Sequence, residues 1–147
     1  MHTIEDFLAQ KSLTIIGVSG SEKKFGNAVL RELQANGYHL FPVHPSAQSI
    51  EGVSCYPSLA ALPEPVGGLI LVVPPQQTES VLREAVSAGI TRVWMQQGAS
   101  STAAISFCAE HNIAAVHGEC ILMYLPEGPA IHRFHRWLRR IFGRLPK

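Results

Sequence analysis

Short runs of apolar, mostly β-branched residues alternate along the chain with longer segments in which apolar residues recur every three or four positions. Runs of the first kind predict strands that are buried on both faces, and segments of the second kind predict helices that cover those faces. This alternation is typical of βαβ units, whose strands are parallel. We therefore predict an α/β domain with five parallel strands, at residues 13–19, 39–43, 68–73, 92–96 and 113–117.

Three helices are predicted between these strands, at residues 25–36, 78–88 and 101–111, with a helical turn at 58–62. The first carries Val29, Leu30 and Leu33 on one face and is followed by Gly37, a residue type that often ends helices. Right-handed crossovers then give a Rossmann-like, doubly wound sheet, for which we expect the strand order 3-2-1-4-5. Ligands of such sheets bind where the winding reverses, here expected between strands 1 and 4.

Composition narrows the class of protein. The chain has 147 residues, of which 46% are apolar, and this is enough for one core without disulfides or a metal. Its three cysteines are far apart, which favours reduced thiols in the cytoplasm. The opening residues lack the pattern of a secretory signal, and no apolar run has the length of a membrane helix. We expect a cytoplasmic protein.

Charge is distributed unevenly. Residues 127–147 carry five arginines and one lysine against Glu127 alone, so this segment has a formal charge of +5 and the remainder −4. We predict a domain over residues 1–126, followed by a basic amphipathic helix over 127–147 that docks on the domain, on a second copy or on a partner protein. The domain has no broad basic face, which disfavours nucleic acid, and we expect no membrane partner. The apolar stripe of the predicted helix consists of Ile131, Phe134, Leu138, Ile141 and Leu145.

A turn of small residues lies between the first predicted strand and the first predicted helix. Glycines let the backbone pass close to a phosphate, while free N–H groups and the positive end of the helix dipole attract it. The turn therefore predicts a phosphate site, and the alternative is a tight turn whose lysines lie in water. The candidate residues are Gly17, Ser19, Gly20, Ser21, Lys23, Lys24 and Gly26.

Known phosphate motifs exclude some ligands. The glycines fall at positions 17, 20 and 26, which does not match G-x-G-x-x-G, and no acidic residue follows the second strand to hold a ribose. An NAD site is therefore disfavoured, and the ATP-type P-loop pattern is absent. A hydrolase nucleophile at Ser19 would require glycine in place of Ser21. His132 and His135 have no third ligand nearby in sequence, so we assign neither a metal site nor a catalytic residue.

Further short motifs occur in order between residues 13 and 123. They are Gly17-Val18-Ser19, Phe25-Gly26, Gly37-Tyr38, Val43-His44-Pro45, Gly52, Cys55-Tyr56-Pro57-Ser58-Leu59, Pro63-Glu64-Pro65-Val66, Val93-Trp94-Met95-Gln96-Gln97-Gly98 and Glu119-Cys120-Ile121. Together they resemble the small CoA-binding proteins related to the N-terminal domain of the succinyl-CoA synthetase α subunit.

This resemblance implies that CoA or an acyl-CoA lies across the carboxyl ends of the strands. Ser19, Gly20 and Ser21 would hold its pyrophosphate, with Lys23 or Lys24 nearby. The resemblance further implies that adenosine and pantetheine are flanked by Pro45, Val73 and Pro74, and that Gln97 faces the point where the winding reverses. Cys120 would lie near the end of CoA, either as a partner for its thiol or as a buried apolar residue.

The resemblance also bears on function. Ligases of this kind add a domain with a phosphorylated histidine and a nucleotide-binding domain, for which 147 residues leave no room. We therefore expect a stand-alone domain that binds or senses CoA without complete catalysis. The alternatives are a component of an acyl-CoA ligase, a small acyl hydrolase, and an interaction module that binds another nucleotide. One departure is Ser46, where many family members have lysine, so a cation for the 3′-phosphate is missing.

Overall fold

The structure is a computed structural model, and it describes residues 2–20 and 25–125. The predicted helical turn is a 3-10 turn at Leu59–Ala61, and a second 3-10 turn spans Ile121–Tyr124. The C-terminal helix predicted at 127–147 lies outside the described residues. The helices and strands are α1 (His2–Leu8), β1 (Ser12–Ile16), α2 (Phe25–Ala35), β2 (His39–Val43), β3 (Ser49–Ile50), β4 (Val53–Ser54), β5 (Gly68–Leu71), α3 (Pro75–Ser87), β6 (Arg92–Met95), α4 (Thr102–Glu110) and β7 (Ala114–Val116).

Five of the strands form one parallel sheet in the order β2-β1-β5-β6-β7. The central strand, β5, is buried along its whole length because helices cover both faces of the sheet. The five predicted strands correspond to β1, β2, β5, β6 and β7, and the three predicted helices correspond to α2, α3 and α4. The prediction of an α/β, doubly wound parallel sheet is confirmed.

The predicted strand order 3-2-1-4-5 is wrong. Counted over the five predicted strands, the observed order is 2-1-3-4-5, so the third strand pairs with β1 instead of lying beyond β2. The described chain between β2 and β5 contains a β3–β4 hairpin and a 3-10 turn, without a crossover helix. Tyr56, just after the hairpin, occupies the open edge of β2, because its N–H donates to Pro42 and its carbonyl accepts from His44. The third strand therefore takes the other side of β1, and the winding reverses between β1 and β5.

The hydrophobic core has two halves, one on each face of the sheet. Alternate residues of a strand enter opposite halves, so Trp94 of β6 packs against Phe7 of α1 and Tyr124, while its neighbours Val93 and Met95 belong to the half that contains α3 and α4. Helix α1 was not predicted because it is short and contributes one fully buried residue, Phe7. An ion pair from Asp6 to Arg92, at 2.7 Å, also joins α1 to the sheet. Among the helices of the described ranges, none is long and apolar enough to cross a membrane.

Candidate functional site

The junction between β1 and α2 lies where the winding of the sheet reverses, and two of its glycines are required by close packing. Gly17 has a φ of +123°, and a Cβ on it would lie 2.1 Å from the carbonyl oxygen of Val72, just after β5. A Cβ on Gly26 would lie 2.2 Å from the carbonyl oxygen of Gly17. Gly17 thus admits the chain after β5, and Gly26 admits the first turn of α2 against the end of β1, which places the positive end of the helix dipole there.

Gly20 differs from these two glycines because its surroundings are open. Within residues 2–20 and 25–125, and apart from its chain neighbour, no atom lies within 4 Å of a Cβ built on Gly20, and the residue is exposed. Four of the predicted site residues, namely Gly17, Ser19, Gly20 and Gly26, are thus gathered at one junction. Ser21, Lys23 and Lys24 lie outside the described residues.

A buried side chain that sequence reasoning missed holds this junction. Asn27, in the first turn of α2, is only 1% exposed. Its Oδ1 accepts from the Ser19 N–H at 2.9 Å, and its Nδ2 donates to the Ser19 carbonyl oxygen at 2.7 Å. The Ser19 peptide N–H and carbonyl are therefore both committed to Asn27. Asparagine in a helix is a weak signal of such a contact, because it favours caps and turns over helix interiors.

Glu51, in the turn of the β3–β4 hairpin, contacts Asn27 and so joins the hairpin to this junction. The Glu51 carboxylate accepts from Asn27 Nδ2 at 3.3 Å and pairs with Arg31 Nη1 at 2.7 Å. The Glu51 side chain is 13% exposed and that of Arg31 45%, so the carboxylate is largely shielded from water. In the sequence Glu51 lies 24 positions from Asn27 and 20 positions from Arg31, so no local pattern indicates these contacts.

The other predicted binding residues lie on neighbouring loops at the carboxyl ends of the strands. Pro45 follows β2 and is exposed, while the adjacent His44 caps its own turn by accepting at Nδ1 from the N–H groups of Ser46 and Ala47. Val73 and Pro74 follow β5, half-buried and exposed respectively, so they adjoin β1 on its other side.

Gln97 follows β6, which β5 separates from β1. Its side-chain amide donates to the Gly118 carbonyl oxygen at 3.5 Å, in the loop after β7. The structure thus places Gln97 one strand further from the reversal than the predicted order does. At the reversal, the residue that lies beside the end of β1 is instead Val72, whose N–H donates to the Ile16 carbonyl oxygen at 2.9 Å.

Two of the three cysteines of the described chain, Cys108 and Cys120, are buried. Cys120 is 3% exposed and accepts a hydrogen bond from Gln96 Nε2 at 3.1 Å, and burial raises the pKa of its thiol. Burial also raises the pKa of Cys108 to about 11. Both thiols therefore stay protonated at neutral pH and behave as small apolar groups.

Two further titratable groups of the described ranges lie near the ends of β7 and of the second 3-10 turn. Tyr124 donates a short hydrogen bond to Glu119, which raises the pKa of Tyr124 to about 12. His117, at the end of β7, is exposed. In the parts of the chain that the structure describes, no three His, Cys, Asp or Glu side chains are grouped as metal ligands.

Comparison with known proteins identifies the family to which this chain is similar. The chain matches the family model of a CoA binding domain over residues 11–126. It is 33% identical over 89 residues to acetate–CoA ligase (ADP-forming) II of Archaeoglobus fulgidus, an alignment that covers 59% of this chain and 13% of the ligase. It is 29% identical over 91 residues to the subunit alpha of acetate–CoA ligase (ADP-forming) II of Pyrococcus furiosus, which covers 61% of this chain and 20% of that subunit.

A solved structure of a conserved hypothetical protein from Pyrococcus furiosus is also similar. It superimposes with a TM-score of 0.72 at 35% identity, covering 76% of this chain and 96% of that chain. The chain therefore spans nearly all of this small relative but a fifth or less of the two curated relatives. The resemblance that the motifs indicate is confirmed for the family. This chain belongs to the CoA binding domain family.

Proposed function

We propose that this protein binds coenzyme A, free or as an acyl-CoA, at the junction of β1 and α2, and that it does so as a stand-alone binding or sensing domain. The proposed site comprises the loop from Gly17 to Gly26, with Pro45 on one side and Val73 and Pro74 on the other. Gln97 lies at its periphery. Ser21, Lys23 and Lys24 belong to the same loop in sequence and are proposed as further phosphate contacts.

The observation that carries the proposal is the contrast among the three glycines. Gly17 is packed against the Val72 backbone and Gly26 against Gly17, whereas no other described residue approaches a Cβ built on Gly20 within 4 Å. A helix N-terminus at the reversal of a doubly wound sheet attracts phosphate, and an open glycine leaves the backbone accessible to it. Family membership supports CoA as the phosphate ligand.

The stand-alone role is supported by the small relative that this chain covers to 96% of its length. Identity to acetate–CoA ligases supports a second candidate, an accessory component of an acyl-CoA ligase, whose other parts would come from another chain. The two candidates differ in one measurement. A ligase component, isolated together with its partner, forms ATP from acetyl-CoA, ADP and phosphate, whereas a sensing domain binds CoA without any such turnover.

Calorimetry with CoA tests the binding proposal. We expect a Kd in the micromolar range, with NAD and ATP binding much more weakly. Gly20→Asp should weaken CoA by about tenfold or more, because a negative charge would stand beside the pyrophosphate. Gly20→Asn is the matched control, since it has the same size without the charge.

The open space around Gly20 means that both variants should fold as the natural protein does. Equal CoA affinity of the natural protein and Gly20→Asp would contradict the site. Equal affinity for CoA, NAD and ATP would instead favour a general nucleotide module. Native mass spectrometry of the protein purified from cells would further identify a retained CoA or acyl-CoA by its mass.

A further inference from the structure

The turn between β3 and β4 contains a residue that is unfavourable for its backbone. Glu51 and Gly52 are the two turn residues, and their φ angles are +52° and +77°. A two-residue hairpin turn with both φ angles positive prefers Asn-Gly or Asp-Gly, because glutamate is rarely stable in the left-handed region. Such an outlier is a reason to ask what its side chain does.

The side chain of Glu51 extends from the hairpin to α2. Its Oε2 lies 2.7 Å from Arg31 Nη1 and 3.3 Å from Asn27 Nδ2. Asparagine would suit the turn better, but it is shorter by one methylene group. The backbone outlier and the contact thus have the same explanation, which is the reach of a glutamate.

The contact with Asn27 affects the proposed phosphate loop, because Asn27 holds Ser19 through both ends of its amide. One Nδ2 hydrogen serves the Ser19 carbonyl, and the other points toward Glu51. Rotating the amide by 180° would turn its oxygen toward two acceptors, the Ser19 carbonyl and the Glu51 carboxylate. The carboxylate therefore favours the one orientation in which Asn27 also accepts from the Ser19 N–H.

We infer that Glu51 is a positioning residue for the Ser19 peptide, acting through Asn27. This inference rests on the proposed function, since Ser19 belongs to the proposed pyrophosphate site. Arg31 completes the arrangement, because its guanidinium balances a carboxylate that would otherwise repel an anionic ligand. The hairpin, which the sequence places far from the loop, thereby becomes part of the site.

Two neutral variants separate position from charge. Glu51→Gln keeps the length of the side chain and an oxygen that accepts from Asn27, whereas Glu51→Asn loses the reach but suits the left-handed turn. Both variants remove the same negative charge, which by itself strengthens binding of the anionic CoA equally in the two. The ratio of their CoA dissociation constants therefore reports on position alone. We expect Glu51→Asn to bind CoA about fivefold more weakly than Glu51→Gln, while its melting temperature is equal or higher. A purely structural role would make affinity and stability change together.

A control variant and a second readout complete the experiment. Asn112, which follows α4, is the other non-glycine residue with a positive φ in the described chain, at +57°. Asn112→Gly should leave CoA affinity unchanged. Amide hydrogen exchange of Ser19, measured without ligand, should be faster in Glu51→Asn than in Glu51→Gln, because its acceptor is less well held.

The outcomes distinguish the inference from the proposed function. Equal CoA affinity of the two Glu51 variants, with binding by the natural protein intact, would overturn the positioning role alone. Absence of CoA binding by the natural protein would overturn the proposed function, and Ser19 exchange would then decide on positioning. Faster exchange in Glu51→Asn supports the positioning role, and equal exchange in the two variants overturns it.

Discussion

Replacing Gly26 with alanine tests the close packing on which the proposed phosphate site depends. The added Cβ would lie 2.2 Å from the Gly17 carbonyl oxygen, 2.7 Å from the Gly17 carbonyl carbon and 3.2 Å from the Val18 nitrogen. All three atoms are backbone, so no side-chain rotation relieves the contact. The first turn of α2 and the end of β1 would have to separate by about 1 Å to reach an ordinary contact distance.

The expected magnitude is a balance of two effects. Overpacking in a well-packed region costs about 1 to 3 kcal/mol, whereas alanine in place of glycine within a helix gains about 0.5 to 1 kcal/mol. Gly26 is the second residue of α2, where the gain is at its smallest. We therefore expect Gly26→Ala to lower the free energy of unfolding by about 1 to 2 kcal/mol, and to weaken CoA because the helix N-terminus has moved.

Urea unfolding followed by tryptophan fluorescence measures the first effect, since Trp94 is fully buried in the core. Gly20→Ala is the matched control, because the space around it is open, and it should stay within about 0.5 kcal/mol of the natural protein. A Gly26→Ala variant that is as stable as the natural protein would refute the close approach of α2 to Gly17.

Two further predictions concern pH and the 3′-phosphate. Burial raises the pKa of Cys108 from its ordinary value of 9.0 to about 11, so the stability tied to its protonated thiol is fully present below pH 9 and is lost as pH rises through 11. Under reducing conditions, the unfolding free energy of Cys108→Ala should therefore fall less steeply between pH 9 and 11 than that of the natural protein, and parallel curves would contradict this. For Ser46, CoA should exceed dephospho-CoA in affinity by no more than roughly fivefold in the natural protein. Ser46→Lys should raise that ratio, less so at high salt, and an unchanged ratio would mean that the 3′-phosphate does not lie beside the loop after β2.

Local patterns predicted the main elements because each is encoded within its own residues. Val29, Leu30 and Leu33 are all buried, as their helical spacing indicates, and β5 is buried on both faces, as its continuous apolar run indicates. Helix α1 gave no such signal, because it is short and Phe7, which packs against Gly68 of a distant strand, is its one fully buried residue. The hairpin strands β3 and β4 have two residues each, which is too short for any alternation to be recognised.

The residues of the candidate site likewise differ in whether a local sequence pattern indicates them. Gly17, Gly20 and Gly26 are predicted as site residues because a glycine-rich turn between a strand and a helix is a local feature with a known physical use. Nothing local distinguished the glycines from one another, although the structure separates two that are closed by backbone from one that is open. Asn27 escaped notice because its role depends on a partner eight residues away, Ser19.

The wrongly predicted strand order changes the expected neighbours of the site more than any other error. The contacts that bear on the order lie outside the site, at the edge of β2. Tyr56 bonds to Pro42 and His44 and occupies the edge of β2, while the third strand lies on the far side of β1. The loop after β5 adjoins the proposed phosphate turn directly, so closely that the Val72 carbonyl leaves no room for a side chain at Gly17. A ligand extending from Gly20 across the carboxyl ends of the strands would therefore meet Val73 and Pro74 before Gln97. For this reason we expect substitutions at Val73 to affect CoA affinity more than substitutions at Gln97, whose amide faces the loop after β7.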